Sequence, residues 1–237
     1  MVKRDLSEAD YLKQYDPKRY ATPLASVDNV IFCIDEDRLQ VLLVKRAEHP
    51  CKARWSIPGG FIDLQRDASL EGCALRTLQA KTGVDSPYLE QLATVGNATR
   101  DPRGWSMTCV YFALIPRVAP LPQNDKVGSV AWVPVDDLPA GMAFDHAELI
   151  QMALTRLRAK ATYSILPVHL LHNPFTLTEF QRANEIVLGR TLEKKSFRRR
   201  LLAADVLEEI GERREGMGRP AALYQIKAGY EGFVFGG

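Results

Sequence analysis

Residues 58–84 read PGGFIDLQRDASLEGCALRTLQAKTGV. The stretch opens on a Pro-Gly-Gly turn signal and runs into a helix. From Ser69 to Lys81 the apolar residues recur at helical spacing, with Leu70, Ala74 and Leu78 on one face. Ser69 is placed to cap the helix start, and Gly83 to stop it where a left-handed residue is needed. The flanks read as strands. Upstream, ASVDNVIFCI (25–34) is apolar and β-branched, DEDRLQ (35–40) makes a turn, VLLVKR (41–46) returns, and WSIPGG (55–60) is a short strand ending in the turn. Downstream, residues 88–135 are strands broken by the loops NATRDPRGW (97–105) and PLPQNDK (120–126), and a helix covers Asp145 to Lys160. Strands, helix, strands and helix predict an α+β sandwich.

A chain of 237 residues suffices for one large domain or two modest ones. With 46% apolar and 25% charged residues the composition is that of a soluble globular protein. The net charge of +2 carries little information, because the basic residues are concentrated locally. No apolar run approaches the ~20 residues of a membrane helix. The first twenty residues are polar where a signal peptide would be hydrophobic, so the expected compartment is the cytoplasm, with no membrane partner. Cys33, Cys51, Cys73 and Cys109 form no C-x-x-C; they read as free thiols in a reducing compartment, not as a zinc site or a disulfide framework.

A second unit begins between Tyr163 and Pro174, dividing the chain into domains 1–160 and 161–237. In FTLTEFQRANEIVLG (175–189), Thr176 and Glu179 form a capping box and Gly189 is the stop. The following run, RTLEKKSFRRR (190–200), has six basic residues in eleven, and Glu193 is its one acid. A second helix, SFRRRLLAADVL (196–207), is predicted to start at Ser196 as cap and to turn Phe197, Leu201 and Leu202 inward. VLEEIGERREGMGRPAALYQIK (206–227) reads as two strands around a loop rich in Gly and Arg, and the tail 229–237 is Gly-rich and expected to be mobile at its end. Helix, turn, helix and hairpin is the order of a winged helix-turn-helix.

That order assigns roles to the cations. Lys194, Lys195, Ser196, Arg198, Arg199 and Arg200 surround the start of the recognition helix, where free backbone N–H groups meet a phosphate. Successive arginines lie about 100° apart, so not all can face one groove. One or two are expected to read base edges and the others to contact phosphates. In the wing, Arg213, Arg214 and Arg219 would reach the backbone or the minor groove, partly offset by Glu208, Glu209, Glu212 and Glu215. The plain alternative is a solvated helix face, which the surrounding helix-turn-helix order disfavours.

The 58–84 stretch resembles the Nudix box, G-x5-E-x7-R-E-U-x-E-E-x-G-U with U apolar. Arg76, Leu78 and Gly83 keep the spacing, but the first Gly position falls on Ile62, so two residues are inserted after Gly59 and Gly60. In that family the helix carries carboxylates that hold magnesium against a diphosphate. The matching positions here are Ala68, Thr77, Ala80 and Lys81: four carboxylates become three neutral residues and a cation. Asp63, Asp67 and Glu71 are near but not at ligand spacing. The resemblance therefore implies a Nudix-type α/β/α sandwich with no catalytic residues, no metal and no cofactor.

The whole chain resembles the Nudix-related transcriptional regulators of NAD metabolism. The likeness rests on YDPKRY (15–20), PGGFID (58–63), the degenerate box, GNATRDPRGW (96–105), AFDH (143–146), FTLTEFQ (175–181), KSFRRR (195–200) and GRPAALY (218–224). It implies a bacterial repressor that binds a palindromic double-stranded DNA operator as a homodimer. ADP-ribose in the Nudix-type domain would release it, with the 145–160 helix transmitting the change. Lys81 and Arg76 would hold a diphosphate by direct charge, Arg100 and Arg103 would reach phosphates or a ribose, and Trp105 or Phe61 would stack on an adenine. Plainer readings stand beside these. In the plainer ones, Arg76 only braces the loop against an acid, Trp55 and Trp105 are core, and residues 101–104 form a generic turn. NAD, a phosphorylated sugar or another nucleotide would suit the same cations. Two other function classes compete: a magnesium-dependent hydrolase of ADP-ribose or a related nucleoside diphosphate, and an RNA-binding module, which the winged order disfavours.

Overall fold

The structure, a computed structural model, describes residues 6–84, 88–118, 127–215 and 220–235. It opens on a short helix, α1 (Glu8–Gln14), capped by Ser7 and burying none of its side chains. Strands β1 (Leu24–Asp35) and β2 (Arg38–Arg46) follow as a hairpin. Glu36 and Asp37 both take positive φ, as a two-residue hairpin loop requires. Next come β3 (Trp55–Ser56), β4 (Gly59–Phe61), α2 (Leu70–Thr82), β5 (Tyr88–Asn97), β6 (Ser106–Leu114), β7 (Val127–Pro134) and α3 (His146–Ala161). The sheet runs β3-β2-β1-β6-β5, with β4 also on β1 and β7 also on β2. β1 and β6 are parallel from Leu24↔Ser106 to Phe32↔Leu114, and the other pairs are antiparallel.

β1 is apolar without alternation because both of its faces are covered. Val30 and Phe32 pack with Leu149, Ile150, Leu154 and Leu157 of α3, while Ile31 and Cys33 pack with Leu78 of α2. Helix, sheet and helix form the expected α/β/α sandwich. Ser69 caps α2 by accepting from Gly72 N, and Gly83 ends it in the left-handed region at φ 69°.

A 3-10 turn at Leu166–Leu170 leads into β8 (Phe175–Thr176), α4 (Leu177–Leu188), α5 (Lys194–Ala204), β9 (Leu207–Arg214) and β10 (Ala221–Ile226). The three strands form a sheet in the order β8-β10-β9. The capping box forms as read: Thr176 Oγ1 accepts from Glu179 N, and Glu179 accepts from Thr176 N. Phe180 is the hub of this core, edge-on to Phe175 at 5.6 Å and to Phe197 at 5.7 Å. The two units share packing through the 3-10 turn. Leu166 and Leu170, with Val187 of α4, join the sheet–α3 core, while Ile165 and Val168 join the second core. Arg158 of α3 donates to Val187 O at 3.2 Å, and Arg182 of α4 donates to Asp37 of the first hairpin at 3.0 Å.

Several local expectations need correction. Gly59 and Gly60 are not in a turn; they form β4, opposite Asp28 and Val27. Leu70 is exposed because it opens the first turn of α2, and the helix turns Cys73, Ala74, Thr77 and Leu78 inward. Leu202 is exposed, and only Phe197 and Leu201 of α5 are buried. α5 is capped by Glu193, not Ser196: the longer carboxylate curls back to accept from Lys195 N and Ser196 N. The tail is anchored as far as Phe235, where Ile165 N donates to Phe233 O and Phe235 N to Tyr163 O, and the end expected to be mobile, 236–237, lies outside the described residues. The loop 120–126 and Arg219 lie outside the described residues.

Candidate functional site

A cleft of about 410 Å³ opens at one end of the first sheet. Its walls come from the starts of β1 and β6, the end of β2 with the loop after it, β4, the 100–103 loop and the first turn of α3. Of the residues singled out in the sequence it gathers Phe61, Lys81, Arg100 and Arg103. Arg76 and Trp105 lie outside its lining; Trp105 is half-exposed and rests against Gly96.

The loop from Asn97 to Trp105 is folded by its own side chains. Asn97 Oδ1 accepts from Thr99 N and Arg100 N, and Asp101 Oδ1 accepts from Arg103 N at 2.9 Å. Arg100 is thereby turned inward and buried. Its Nε and Nη2 both donate to Asp145 at 2.9 Å, and Asp28 lies 3.9 Å away. Asp145 is the N-cap residue of α3 but makes no capping bond, because its carboxylate is committed to Arg100. Arg103 is likewise engaged. It donates to both oxygens of Asp101, and its guanidinium lies over the Phe61 ring at 5.0 Å. The hydrogen bond from Arg103 holds the Asp101 carboxyl below the usual carboxylate range.

Lys81 differs. Among the described residues no ion pair engages it, and burial pulls its pKa below 10.5. It is a half-desolvated ammonium on the cleft wall, a good partner for an anion. Arg46 stands at the end of β2 with its guanidinium over Phe144 at 4.9 Å. His146 is buried; its Nδ1 accepts from Ile57 N at 3.1 Å, and burial lowers its pKa, so the ring is neutral with its proton on Nε2. Ser106 Oγ is buried in the lining without a hydrogen-bond partner among the described residues. Lys45, Arg46, Lys81, Arg100 and Arg103 outnumber the acids Asp28, Glu48 and Asp101, so the cleft suits an anionic ligand. Gly59 is required here: a Cβ on it would fall 1.8 Å from Asp28 Oδ1.

The box helix, by contrast, does not fit a divalent ion. Thr77 is buried, Ala80 carries no donor, Lys81 is a cation, and Ala68 stands at the upstream position. Hard cations take carboxylate oxygens, and these side chains supply none. Among the described residues no group of three or more His, Cys, Asp or Glu could hold a metal ion. Arg76 takes the bracing role: Nε and Nη2 each donate to Asp67 at 2.6 Å. Asp67 also accepts from Asp63 N, which ties the inserted loop to α2. The hydrogen bonds from Arg76 hold the Asp67 carboxyl far below the usual range.

The second cluster is the outer face of α5. At about 100° per residue, Arg199 lies roughly 180° from the buried side defined by Phe197 and Leu201. Lys194, Lys195, Ser196 and Arg199 are all exposed. The other two arginines of the triplet are held sideways. Arg198 donates to Thr178 Oγ1 of α4 at 3.1 Å, and Arg200 stacks over Phe235 at 4.4 Å and bonds Thr162 O at 3.4 Å. In the wing Arg213 is exposed, while Arg214 pairs with Glu179 and donates to Pro174 O at 3.0 Å.

The sequence reading passed over Asp28, Arg46, Phe144 and His146 as site residues. Two signals in the sequence point to them: the Lys-Arg pair that ends a buried strand, and the AFDH motif (143–146). Phe144 of that motif has a positive φ of 53° and lines the cleft, while its neighbours Asp145 and His146 grip Arg100 and Ile57.

Comparison with known proteins agrees with this geometry in both halves. Residues 25–153 match the model of the NUDIX domain, and residues 167–226 that of the NrtR DNA-binding winged helix domain. The chain is 48% identical over 221 residues to the ADPR responsive transcriptional repressor NtrR of Acinetobacter baylyi, covering 93% of this chain and 88% of that one. Shewanella oneidensis NrtR, solved in complex with a 27mer DNA, is similar at 47% identity and a TM-score of 0.83, over 89% of this chain and 97% of that one. The NUDIX domain of the same protein, solved with ADP ribose, is similar at 48% identity and a TM-score of 0.61, over 64% of this chain and 99% of that domain. A NUDIX domain continuous with an NrtR-type winged helix, shared over nearly the whole length, places this chain in the NrtR family.

Proposed function

We propose that this protein is a DNA-binding transcriptional repressor of NAD-metabolism genes, released from its operator by ADP-ribose. One observation carries the reading: a cationic cleft without a fitting metal cage shares a packed core with a helix-turn-helix whose outer face is free and basic. Residues 1–160 hold the effector and residues 161–237 hold DNA. In the cleft Lys81, Arg46 and Arg103 meet the diphosphate, and Phe61 offers a ring to the base. On DNA, Arg199 reads a base edge, Lys194, Lys195 and Ser196 approach phosphates, and Arg213 supports from the wing. Arg76, Arg198, Arg200 and Arg214 are structural. The protein acts as a homodimer, whose two winged helices match a palindromic site.

The effector changes DNA affinity only by binding two states of the protein unequally. Arg100 is the place where that difference arises. A diphosphate in the cleft competes with Asp145 for its guanidinium, and Asp145 stands at the head of α3. The far end of α3 grips Val187 of α4 through Arg158, so a shift at its head reaches the helix-turn-helix. The hydrolase alternative is tested by titrating ADP-ribose into the protein by calorimetry, with and without magnesium, and analysing the mixture by chromatography. Saturable binding without magnesium and intact ADP-ribose afterwards is the expected result. Magnesium-dependent appearance of AMP and ribose phosphate would overturn it.

A further inference from the structure

α5 buries two apolar side chains and exposes a third. Leu202 is 57% exposed, while Leu201 beside it is fully buried. At about 100° per residue Leu202 lies roughly 20° from Lys195 and 60° from Arg199. It therefore stands on the basic outer face of the helix, away from the core formed with Phe197. A lone exposed leucine needs no explanation on an ordinary surface. This one shares the angular sector of Lys195 and lies one turn from Arg199, both exposed, on a face whose charge complements a polyanion.

We infer that Leu202 is a specificity residue, which contacts the 5-methyl group of a thymine next to the base read by Arg199. The inference rests on the proposal that α5 enters the major groove. In that groove the thymine methyl is the apolar feature of an otherwise polar edge pattern. Leucine forms no hydrogen bond, so its discrimination consists of burying that methyl and of leaving a cytosine amino group without a partner. Arg199 and Leu202, one turn apart, then read two neighbouring positions by different chemistry.

The test uses a duplex selected by the full-length protein from a random pool, prepared once with thymine and once with every thymine replaced by uracil. The replacement removes only methyl groups. For wild type, affinity for the uracil duplex should fall about fourfold for each half-site, roughly fifteenfold for the two together, the scale of one buried methyl per half-site. For Leu202→Ala, the thymine duplex should bind more weakly by a similar factor and the uracil penalty should disappear. Leu202 is exposed, so the variant should melt as wild type does; Leu202→Gln provides a second side chain that cannot bury the methyl. A random duplex of equal uracil content reports any general effect of the substitution. Equal wild-type affinity for both selected duplexes overturns the inference, as does a full uracil penalty retained in Leu202→Ala. Failure of the wild type to select any duplex would sink the DNA-binding reading itself, and Leu202's role with it.

Discussion

In the N-terminal half Arg76, Arg100 and Arg103 each hold a carboxylate with two donors, against Asp67, Asp145 and Asp101. In α5, Arg199 stands in solvent at the apex of the helix, with Lys194, Lys195 and Ser196 exposed around it. The same side chain does opposite work in the two regions. Arg100, buried against Asp145, fixes the fold because neither charge can be left alone there, while the part-exposed Arg76 and Arg103 shape their own loops. A guanidinium that is held out in water on a folded frame keeps its fork of donors for a partner. Basic residues near each other in sequence therefore do not make a binding surface by themselves. The triplet 198–200 shows this within three residues, since only its middle member is free of the neighbouring chain.

Substitution should separate the two kinds of arginine. The largest effect is expected for Arg100→Ala. It strands Asp145 and leaves Asp28 without its nearby cation, and should cost about 3 kcal/mol of stability in urea unfolding. A loss below about 0.5 kcal/mol would show that Arg100 is not a structural arginine. Arg199→Ala should do the converse, weakening DNA binding by ~1–3 kcal/mol while stability and ADP-ribose binding stay unchanged. Unaltered DNA affinity would remove Arg199 from the reading surface. Arg214→Ala sits between these. Its exposed pair with Glu179 should contribute no more than about 1 kcal/mol to stability, with a comparably small effect on DNA affinity.

The smallest expected effect is that of pH. Burial lowers the pKa of both His146 and His169 from 6.5. The unfolded chain then takes up protons that the folded one refuses, so their contribution is complete above pH 6.5 and declines as the pH falls below it. Tm should decrease from about pH 7.5 to about pH 5.5, and a double His146→Gln, His169→Gln variant should show a flatter profile. Equal slopes for the two proteins would deny the histidines this part.

What the sequence made legible was local. Caps, stops and the capping box at Ser69, Gly83, Thr176, Glu179 and Gly189 are decided within a turn of chain, and each forms as read. The succession of strands and helices along the chain and the helix-turn-helix follow from periodicity and turn chemistry, whereas the order of strands within the sheet, with β1 parallel to β6, does not. The cleft was legible only in part, because its geometry depends on partners far apart in the chain. Asp145 lies 45 residues from Arg100, and Ile57 lies 89 from His146, so no local pattern announces either pair. The face of α5 failed by a single residue. Leu201 and Leu202 are equally apolar, and only the position of the second core decides which turns inward. Ser196 is the expected cap because short polar side chains usually fill that position, but the helix starts two residues earlier at Lys194, where Glu193 accepts from Lys195 N and Ser196 N.

The most direct test of the account is the coupling between its two regions. Fluorescence anisotropy of a labelled duplex from upstream of an NAD-synthesis operon, at fixed salt, should report tight binding by the full-length protein. Adding ADP-ribose should release the duplex, and saturating duplex should weaken ADP-ribose binding by the same factor, since coupling is reciprocal. Duplex affinity that does not change as ADP-ribose saturates the cleft would contradict the claim that the cleft governs the helix face.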